Sequence, residues 1–262
     1  MRDICTPKSP EKPIKNMRKT SLSRLFYLAA FLFLTSFNNA TSRNATPEHV
    51  ITSQVNTANL KAASSSMSSM LYEKLNLADA GLSEEALNAA VAGYEKLVEE
   101  GVVQNTQYLS IVDLSQSSRK KRFYLLDVKN FKLALNTFVA HGKNSGIDEA
   151  VRFSNRPESE ESSLGFYVTK ETYRGKHGLS LKLAGLEDGF NDNAESRAIV
   201  VHGANYVNPA RANSAYMGRS QGCPALPQSV APKVINLIKG GSALFVYNPD
   251  EKYLNKSKIL NS

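Results

Sequence analysis

The stretch YLSIVDLSQSSRKKRFYLLDV at residues 108–128 decides the fold class. Its first seven and last seven residues are rich in aliphatic, aromatic and β-branched side chains, and polar residues separate the two runs. Short apolar runs bounded by turn-forming residues are typical of β-strands. The stretch therefore predicts two strands. We interpret the basic run RKKR at 119–122 as a solvated hairpin turn or strand edge, because charge protects strand edges from unwanted pairing.

Further runs of the same kind follow along the chain. They cover residues 136–142, 165–169, 179–183, 197–202 and 242–247. Two amphipathic segments accompany them: one begins after the N-cap residue Ser83 and ends at Gly101, and the other lies between Ser229 and Gly240. We therefore predict a mainly β (α+β) body over residues 71–255, with an N-terminal helix and peripheral helices.

The N-terminal segment differs from this body. Basic residues precede an apolar run of 13 residues at 25–37, and small residues follow it. Such a run is short for a membrane span but fits the apolar region of a signal peptide. We predict a signal peptide over residues 1–42 and a flexible linker over 43–70, where Ser, Thr, Asn and Ala are abundant. The predicted location is the periplasm or cell envelope, and the alternative is an uncleaved leader that anchors the chain in a membrane.

The net charge of +8 is concentrated in the predicted leader. Residues 1–42 hold seven Lys or Arg against two acidic residues, so the remaining chain carries +3. Apart from the RKKR run this surplus is scattered, whereas a surface that binds nucleic acid needs clustered positive charge. We therefore expect no nucleic-acid partner.

Cys223 is the residue that most directly indicates a catalytic reaction. The other cysteine, Cys5, lies in the predicted leader, so the exported chain would have one thiol and no internal disulfide. Cys223 lies in GRSQGCPAL at 218–226, and His202 ends the apolar run AIVVH at 198–202. A thiolate attacks carbonyl carbons, and an imidazole can take and return its proton. Cys223 and His202 are therefore the candidate nucleophile and base, although a lone cysteine is also common in protein cores.

The residues around this pair fit a thiol site. Gly222 allows backbone conformations that other residues disfavour, and the amides near Gly222 and Cys223 can point at a developing oxyanion. Ser220 and Gln221 complete the loop, and Gly203 lets the chain turn directly after the base. We predict that these residues shape the loop and the oxyanion site.

These motifs resemble those of a known family. The HG at 202–203, the SQGC at 220–223, and the stretches AHGKNSG at 140–146, SSLGFYVT at 162–169 and GKHGLSLKL at 175–183 are similar to the YkuD-like L,D-transpeptidases, in the branch of murein L,D-transpeptidase catalytic domains. The similarity covers about residues 82–250. It implies a YkuD-like β-sandwich catalytic domain.

The resemblance also implies an activity. Cys223 would form a thioacyl intermediate with a peptidoglycan stem peptide, and His202 would be the base. The enzyme would form 3-3 cross-links between stems or exchange the terminal D-amino acid. With water as the acceptor, the same site would be an L,D-carboxypeptidase. Peptidoglycan stem peptides are the expected partners, and no cofactor or metal is expected.

The sequence departs from the family motif in two places. Gln221 stands where the family commonly has a histidine, and no arginine follows Cys223, where the family commonly has Cys-x-Arg. A guanidinium that holds a substrate carboxylate must then come from elsewhere. We favour Arg219 for this role over a surface-charge role, with Arg211 and Arg197 as alternatives.

Other interpretations of the histidines and the cysteine stay open. His141 and His177, each beside a glycine, either line the cleft and contact substrate or serve in turns. Together with His202 they make a zinc site conceivable, but no HxH or HxxxH spacing supports it. A sortase also has a histidine before its cysteine, but it needs a later arginine. A non-catalytic peptidoglycan-binding protein of the same fold is the alternative outside the enzymes, and the reactivity of Cys223 distinguishes it.

Overall fold

A computed structural model describes residues 57–261, with side chains described from residue 65 onward. Eight strands form one mixed sheet: β1 Tyr108–Asp113, β2 Phe123–Asp127, β3 Lys132–Thr137, β4 Gly165–Gly175, β5 Gly178–Gly185, β6 Val200–Ala204, β7 Ala225–Pro227 and β8 Ala243–Tyr247. The helices are α1 Thr57–Lys74, α2 Leu77–Ala80, α3 Glu84–Glu99, α4 Ala231–Ile238, α5 Glu251–Lys256 and a 3₁₀ helix at Pro209–Asn213. The prediction of a mainly β domain with an N-terminal helix and peripheral helices is confirmed. Within the described residues, no helix combines the length and apolar character needed to cross a membrane.

The sheet has the strand order β3-β2-β1-β8-β4-β5-β6-β7. Two pairs, β1 with β8 and β6 with β7, are parallel, and the other pairs are antiparallel. The segment after β3 returns to the opposite edge, where Ala140 forms a bridge with Ala225 and Gly142 forms one with Ser220. The two edges of the sheet are thereby brought together next to the cysteine loop, and the sheet is nearly closed.

Helix α3 covers one face of the sheet. Its N-cap is Ser83, as predicted, and the Ala86 amide donates to the Ser83 hydroxyl at 3.2 Å. Gly93 lies against the ring of Phe166: a Cβ at this position would be 2.1 Å from that ring. The Phe166 ring stacks in turn on that of Phe245, with centroids 4.1 Å apart. Phe166 of β4 and Phe245 of β8 therefore join helix α3 to the centre of the sheet.

Part of the predicted linker is helical. Residues 57–70 belong to α1, whereas the sequence pattern assigns them to a flexible segment. The Ser68 and Ser69 hydroxyls donate to the Ser65 carbonyl one turn earlier, and such bonds accommodate serine inside a helix. Leu71 and Ser68 are buried, so packing against the body stabilises a sequence of low helix propensity. The rest of the predicted linker, residues 43–56, and the predicted signal peptide lie outside the described residues.

Several elements differ from the sequence pattern. The strand expected over 136–142 is β3 at Lys132–Thr137, after which the chain leaves the sheet. The short strand β7 was not predicted, because it has three residues and ends in a proline. Helix α4 begins after Val230 rather than after Ser229.

The basic run at 119–122 is only partly a solvated turn. Arg119 is exposed and its Nε lies 3.1 Å from Asp148. Arg122, in contrast, is fully buried. Its Nη1 donates to the Gln116 carbonyl at 2.7 Å, and its Nε and Nη2 donate to the Val139 carbonyl. Burial lowers the pKa of Arg122 to about 10, so it stays protonated at neutral pH. The interpretation of the whole run as a solvated edge is therefore wrong for Arg122, because backbone carbonyls replace its water shell.

Candidate functional site

The cysteine lies at the end of a tight loop that precedes β7. Gly222 has φ of +115°, and a Cβ at this position would be 2.8 Å from the Glu161 carbonyl oxygen. Only glycine therefore fits here. The Ser220 hydroxyl donates to the Cys223 carbonyl at 2.6 Å and accepts from the Gly222 amide at 3.1 Å. Ser220 thus fixes the loop. The Gly222 amide, which we predicted would donate to the oxyanion, donates to the Ser220 hydroxyl instead. Gln221, half-buried, completes the turn.

The candidate base lies in the middle of β6, and its tautomer is defined. The turn expected at Gly203 is therefore wrong, because Gly203 continues the strand and pairs with Leu226 on β7. The His202 Nδ1 lies 2.9 Å from the Gly203 carbonyl oxygen. Because a carbonyl can only accept, Nδ1 carries the proton and Nε2 is the basic nitrogen. Burial lowers the pKa of His202 to about 4, the bond to Gly203 raises it, and the neighbouring His177 and Lys176 lower it further. His202 is therefore neutral at pH 7, the state a general base needs.

The strand pairing brings the thiol loop and the base strand together. His202 pairs with Ala225, two residues after Cys223, on the adjacent parallel strand. Both side chains are buried: Cys223 is 3% exposed and His202 is 2% exposed. His177, at the turn between β4 and β5, stacks on His202 with ring centroids 4.3 Å apart. His177, predicted either to line the cleft or to serve in a turn, lies in a turn and covers the candidate base.

Arg197 lies beside the cysteine loop. A Cβ on Gly222 would be 3.3 Å from its Nη2 atom. The following residue, Ala198, has its carbonyl oxygen 3.8 Å from the Cys223 Sγ atom. The sequence offered Arg197 only as an alternative to Arg219, because 26 positions separate it from the cysteine and no local motif links the two.

His141 has a structural environment. It is 1% exposed, and its Nδ1 lies 2.6 Å from Nη2 of the buried Arg122. A guanidinium can only donate, so Nδ1 accepts and Nε2 donates to the Gly146 carbonyl at 3.3 Å. Burial and the charge of Arg122 lower the pKa of His141 to about 4. The Ser220 amide donates to the His141 carbonyl at 2.8 Å, so this residue supports the cysteine loop through its backbone.

Arg211 and Arg219 line a surface cavity of about 310 Å³, which we call the basic cavity; its walls are Lys143, Tyr206, Arg211, Tyr216, Gly218 and Arg219. Both guanidinium groups lie over the Tyr216 ring, at 5.7 Å for Arg211 and 4.9 Å for Arg219. The Arg219 Nη1 also donates to the Lys143 carbonyl at 3.0 Å. Lys143 is paired with Glu160 at 2.6 Å, so the two arginines are the groups that suit a carboxylate here. The tyrosines and Lys143 were not predicted, since nothing in the sequence connects them to the loop.

The structure thus sorts the predicted site residues into groups. One group contains Cys223 and its loop, just before β7, and His202 and Gly203 on the adjacent strand β6. His177, in the turn between β4 and β5, contacts this group through His202. Arg211 and Arg219 form the basic cavity at the start of the cysteine loop, and His141 lies in the buried network behind it. Among the described residues, no cluster of three or more His, Cys, Asp or Glu side chains has the arrangement needed for a metal ion.

Comparison with known proteins identifies the family. The L,D-transpeptidase catalytic domain (YkuD_2) model matches residues 78–247. No curated protein matches the chain. Among solved structures, an L,D-transpeptidase from Mycobacterium smegmatis is similar at 13% identity and a TM-score of 0.33, covering 54% of this chain and 59% of that chain.

Two further solved structures are similar. For an L,D-transpeptidase from Mycobacterium tuberculosis H37Rv the identity is 16% and the TM-score 0.32, with 54% of this chain and 58% of that chain covered. For one from Xylanimonas cellulosilytica DSM 15894 the identity is 16% and the TM-score 0.32, with 58% and 68% covered. This chain spans less than two thirds of the two mycobacterial chains. The family match covers well over half of this chain, which therefore belongs to the L,D-transpeptidase catalytic domain family.

Proposed function

We propose that the protein is an exported cysteine L,D-transpeptidase that acts on peptidoglycan stem peptides. One observation carries the proposal: in a chain of this family, the hydrogen bond from His202 to the Gly203 carbonyl leaves a basic Nε2 on the strand next to the cysteine loop. A neutral imidazole with this tautomer can accept a thiol proton. Family membership alone gives the reaction class, and this geometry supports Cys223 and His202 as the reacting pair.

The first step acylates the thiol. His202 takes the proton of Cys223, and the sulfur attacks the carbonyl between the L-centre of the stem diamino acid and its terminal D-alanine. A C–S bond forms and the C–N bond breaks. The proton held by His202 moves to the departing amine, so D-alanine leaves neutral and a thioester remains on Cys223.

The second step transfers the acyl group. An amine of a second stem attacks the thioester, its proton passes to His202, and the thiolate leaves and is reprotonated. An amine on another stem gives a 3-3 cross-link, and a free D-amino acid gives exchange. Water in the same place gives a carboxypeptidase.

The basic cavity is the proposed subsite for a substrate carboxylate. Gly218 and Arg219 lead directly into the cysteine loop, so a ligand held there lies beside the segment that carries the nucleophile. Charge-assisted bonds to a guanidinium orient a carboxylate as well as attract it. No arginine follows Cys223, so in this proposal the subsite supplies the guanidinium that holds the substrate carboxylate.

Product analysis tests the proposal. The full chain is incubated with disaccharide tetrapeptides, and the products are examined by mass spectrometry. We expect cross-linked dimer and free D-alanine from the wild type and neither from Cys223→Ala or His202→Ala. Released D-alanine without dimer identifies the carboxypeptidase. No turnover at all favours a binding protein, and full activity of Cys223→Ala rejects the cysteine mechanism.

Export is tested separately. N-terminal sequencing of the protein recovered from the envelope of a producing cell is expected to begin near residue 43. A chain that retains residues 1–42 and fractionates with membranes indicates an uncleaved anchor. A full-length chain in the cytoplasmic fraction rejects export.

A further inference from the structure

Two segments distant in sequence are packed together at the thiol. The guanidinium of Arg197 lies against Gly222, the residue before Cys223, and the Cys223 Sγ lies 3.8 Å from the carbonyl of Ala198, the residue after Arg197. These two contacts join adjacent residues of the same two segments. Residues 197–198 therefore pack against residues 222–223, and the Arg197 guanidinium lies beside the cysteine loop.

Neutral oxygen atoms fix this guanidinium. Its Nη1 donates to the Ser154 carbonyl at 2.7 Å and also to the Ser163 hydroxyl, and its Nη2 donates to the Ser159 hydroxyl at 3.1 Å and to the Glu161 carbonyl at 2.7 Å. Hydrogen bonds of this kind orient the group without neutralising its charge. The Arg197 charge therefore stays available to a neighbouring anion.

The nearby acidic group is engaged elsewhere. The Glu161 carboxylate lies 3.5 Å from Arg152, and among the described residues the ion pairs do not include Arg197. Burial lowers the pKa of Arg197, and the negative charges of Tyr167, Cys223 and Glu161 raise it by less. Burial also raises the pKa of Tyr167, so this phenol is neutral at physiological pH. Of these groups, the thiol is the one that must become an anion during turnover.

The proposed base supplies no positive charge at rest. The pKa of His202 is about 4, so its imidazole is neutral at pH 7 and cannot stabilise a thiolate as an imidazolium does. A fixed guanidinium does not depend on pH in this range. We propose that Arg197 stabilises the thiolate of Cys223 and supplies the positive charge of this site, in a chain that has no arginine after its cysteine.

The importance of Arg197 for turnover rests on the proposed function. Its effect on the Cys223 thiol can be measured without turnover. The rate of iodoacetamide alkylation is measured against pH for the full chain, and Cys223 is resolved from Cys5 by peptide mass spectrometry. We expect a wild-type midpoint well below about 8.5, the value of a free cysteine. For Arg197→Gln we expect a midpoint about one unit higher and alkylation about tenfold slower at pH 7.

Two variants separate charge from structure. Arg197→Lys keeps the charge and is expected to recover most of the shift. Arg156→Gln removes an exposed arginine that is not part of the ion pair with Glu161, and it is expected to leave the midpoint unchanged. An unchanged midpoint in folded Arg197→Gln overturns the proposal. If that variant does not fold, a wild-type midpoint at or above 8.5 overturns it equally. Full transpeptidation by Cys223→Ala, in contrast, rejects the proposed function. The effect of Arg197 on the titration of the thiol is unaffected by that result.

Discussion

The imidazole of His177 stacks on the imidazole of His202, with ring centroids 4.3 Å and planes 29° apart. His177 is one of the two residues in the tight turn between β4 and β5, where Gly175 pairs with Gly178. The end of this hairpin therefore covers the proposed base. Since both His202 and Cys223 are buried, a substrate must displace covering groups to reach them, and the hairpin end is the group in direct contact with the base.

Removing the covering ring is expected to raise the pKa of His202. Burial and the charge of His177 both lower this pKa, so His177→Ala should move it from about 4 towards 6.5. His177→Phe keeps a ring over the base without its charge and should give a smaller rise. The titration of the His202 ring protons by NMR measures both. A pKa that stays at the wild-type value in His177→Ala contradicts the covering role.

Replacement of Gly222 should damage the cysteine loop. In Gly222→Ala the new Cβ meets the Glu161 carbonyl at 2.8 Å in a backbone with φ of +115°. We expect a loss of about 2–4 kcal/mol of unfolding free energy and at least tenfold slower alkylation of Cys223. Gly189→Ala is the matched control, because φ is +77° there and nothing lies within 4 Å of the new atom. Its loss should be about 1 kcal/mol, measured by urea unfolding. Equal losses in the two variants would contradict the steric argument.

The two ends of the basic run should respond differently to substitution. Arg122→Met leaves the Val139 and Gln116 carbonyls and the His141 Nδ1 without their donor inside the protein, so we expect a loss of about 3 kcal/mol or more. Arg119→Met removes an exposed ion pair with Asp148 and should cost at most about 1 kcal/mol. Denaturant unfolding of the two variants measures the difference. Similar small losses would show that the buried network contributes little.

The sequence predicts local features of this protein better than distant contacts. The cap at Ser83 and the need for glycine at 222 depend on neighbouring residues, and local pattern reveals them. The strand that carries His202 is also predicted, but it continues through Gly203 to Ala204 because of its pairing with β7. The burial of Arg122 depends on carbonyls of separate segments, and the contact of Arg197 with the cysteine loop depends on the parallel pairing of β6 with β7. No spacing in the sequence encodes either contact.

The same limit explains the error at α1. Serine-rich composition predicts a flexible segment, but the helix at Thr57–Lys74 is stabilised by packing that composition does not report. Strand β7 is too short for a periodic signal, yet its pairing with β6 sets the separation of the candidate base and nucleophile. Tertiary contacts therefore decide the parts of the site that the sequence could not.

The basic cavity should contribute to substrate affinity. If it holds a carboxylate of the stem peptide, Arg219→Gln should raise KM about tenfold or more with little change in kcat, because a charge-assisted hydrogen bond is worth about 1.5–3 kcal/mol. Arg156→Gln, which removes an exposed arginine elsewhere, controls for net charge. A stem peptide with its carboxylates amidated should bind wild type and Arg219→Gln equally. If KM is unchanged in Arg219→Gln, the residue has only a surface role.

The buried histidines should make the protein less stable in mild acid. The pKa values of His141 and His202 are about 4 in the folded protein, below the ordinary value of about 6.5 in the unfolded chain. Between pH 6.5 and 4 the unfolded chain therefore binds more protons than the folded one. Stability is fully present above pH 6.5 and is lost as the pH falls towards 4, by on the order of 3 kcal/mol for each histidine.

One buried carboxyl opposes this trend. Burial raises the pKa of Glu187 above its ordinary value, so this group favours the folded state as the pH falls through the same region. Two histidines against one carboxyl still leave a net loss in acid. Urea unfolding at several pH values between 7 and 4.5 measures the slope, and His141→Asn and His202→Asn should each reduce it by at least half, since Glu187 continues to oppose the remaining histidine. If both variants retain the wild-type slope, the neutral state of these imidazoles is not what stabilises the folded protein, and other groups must account for its acid sensitivity.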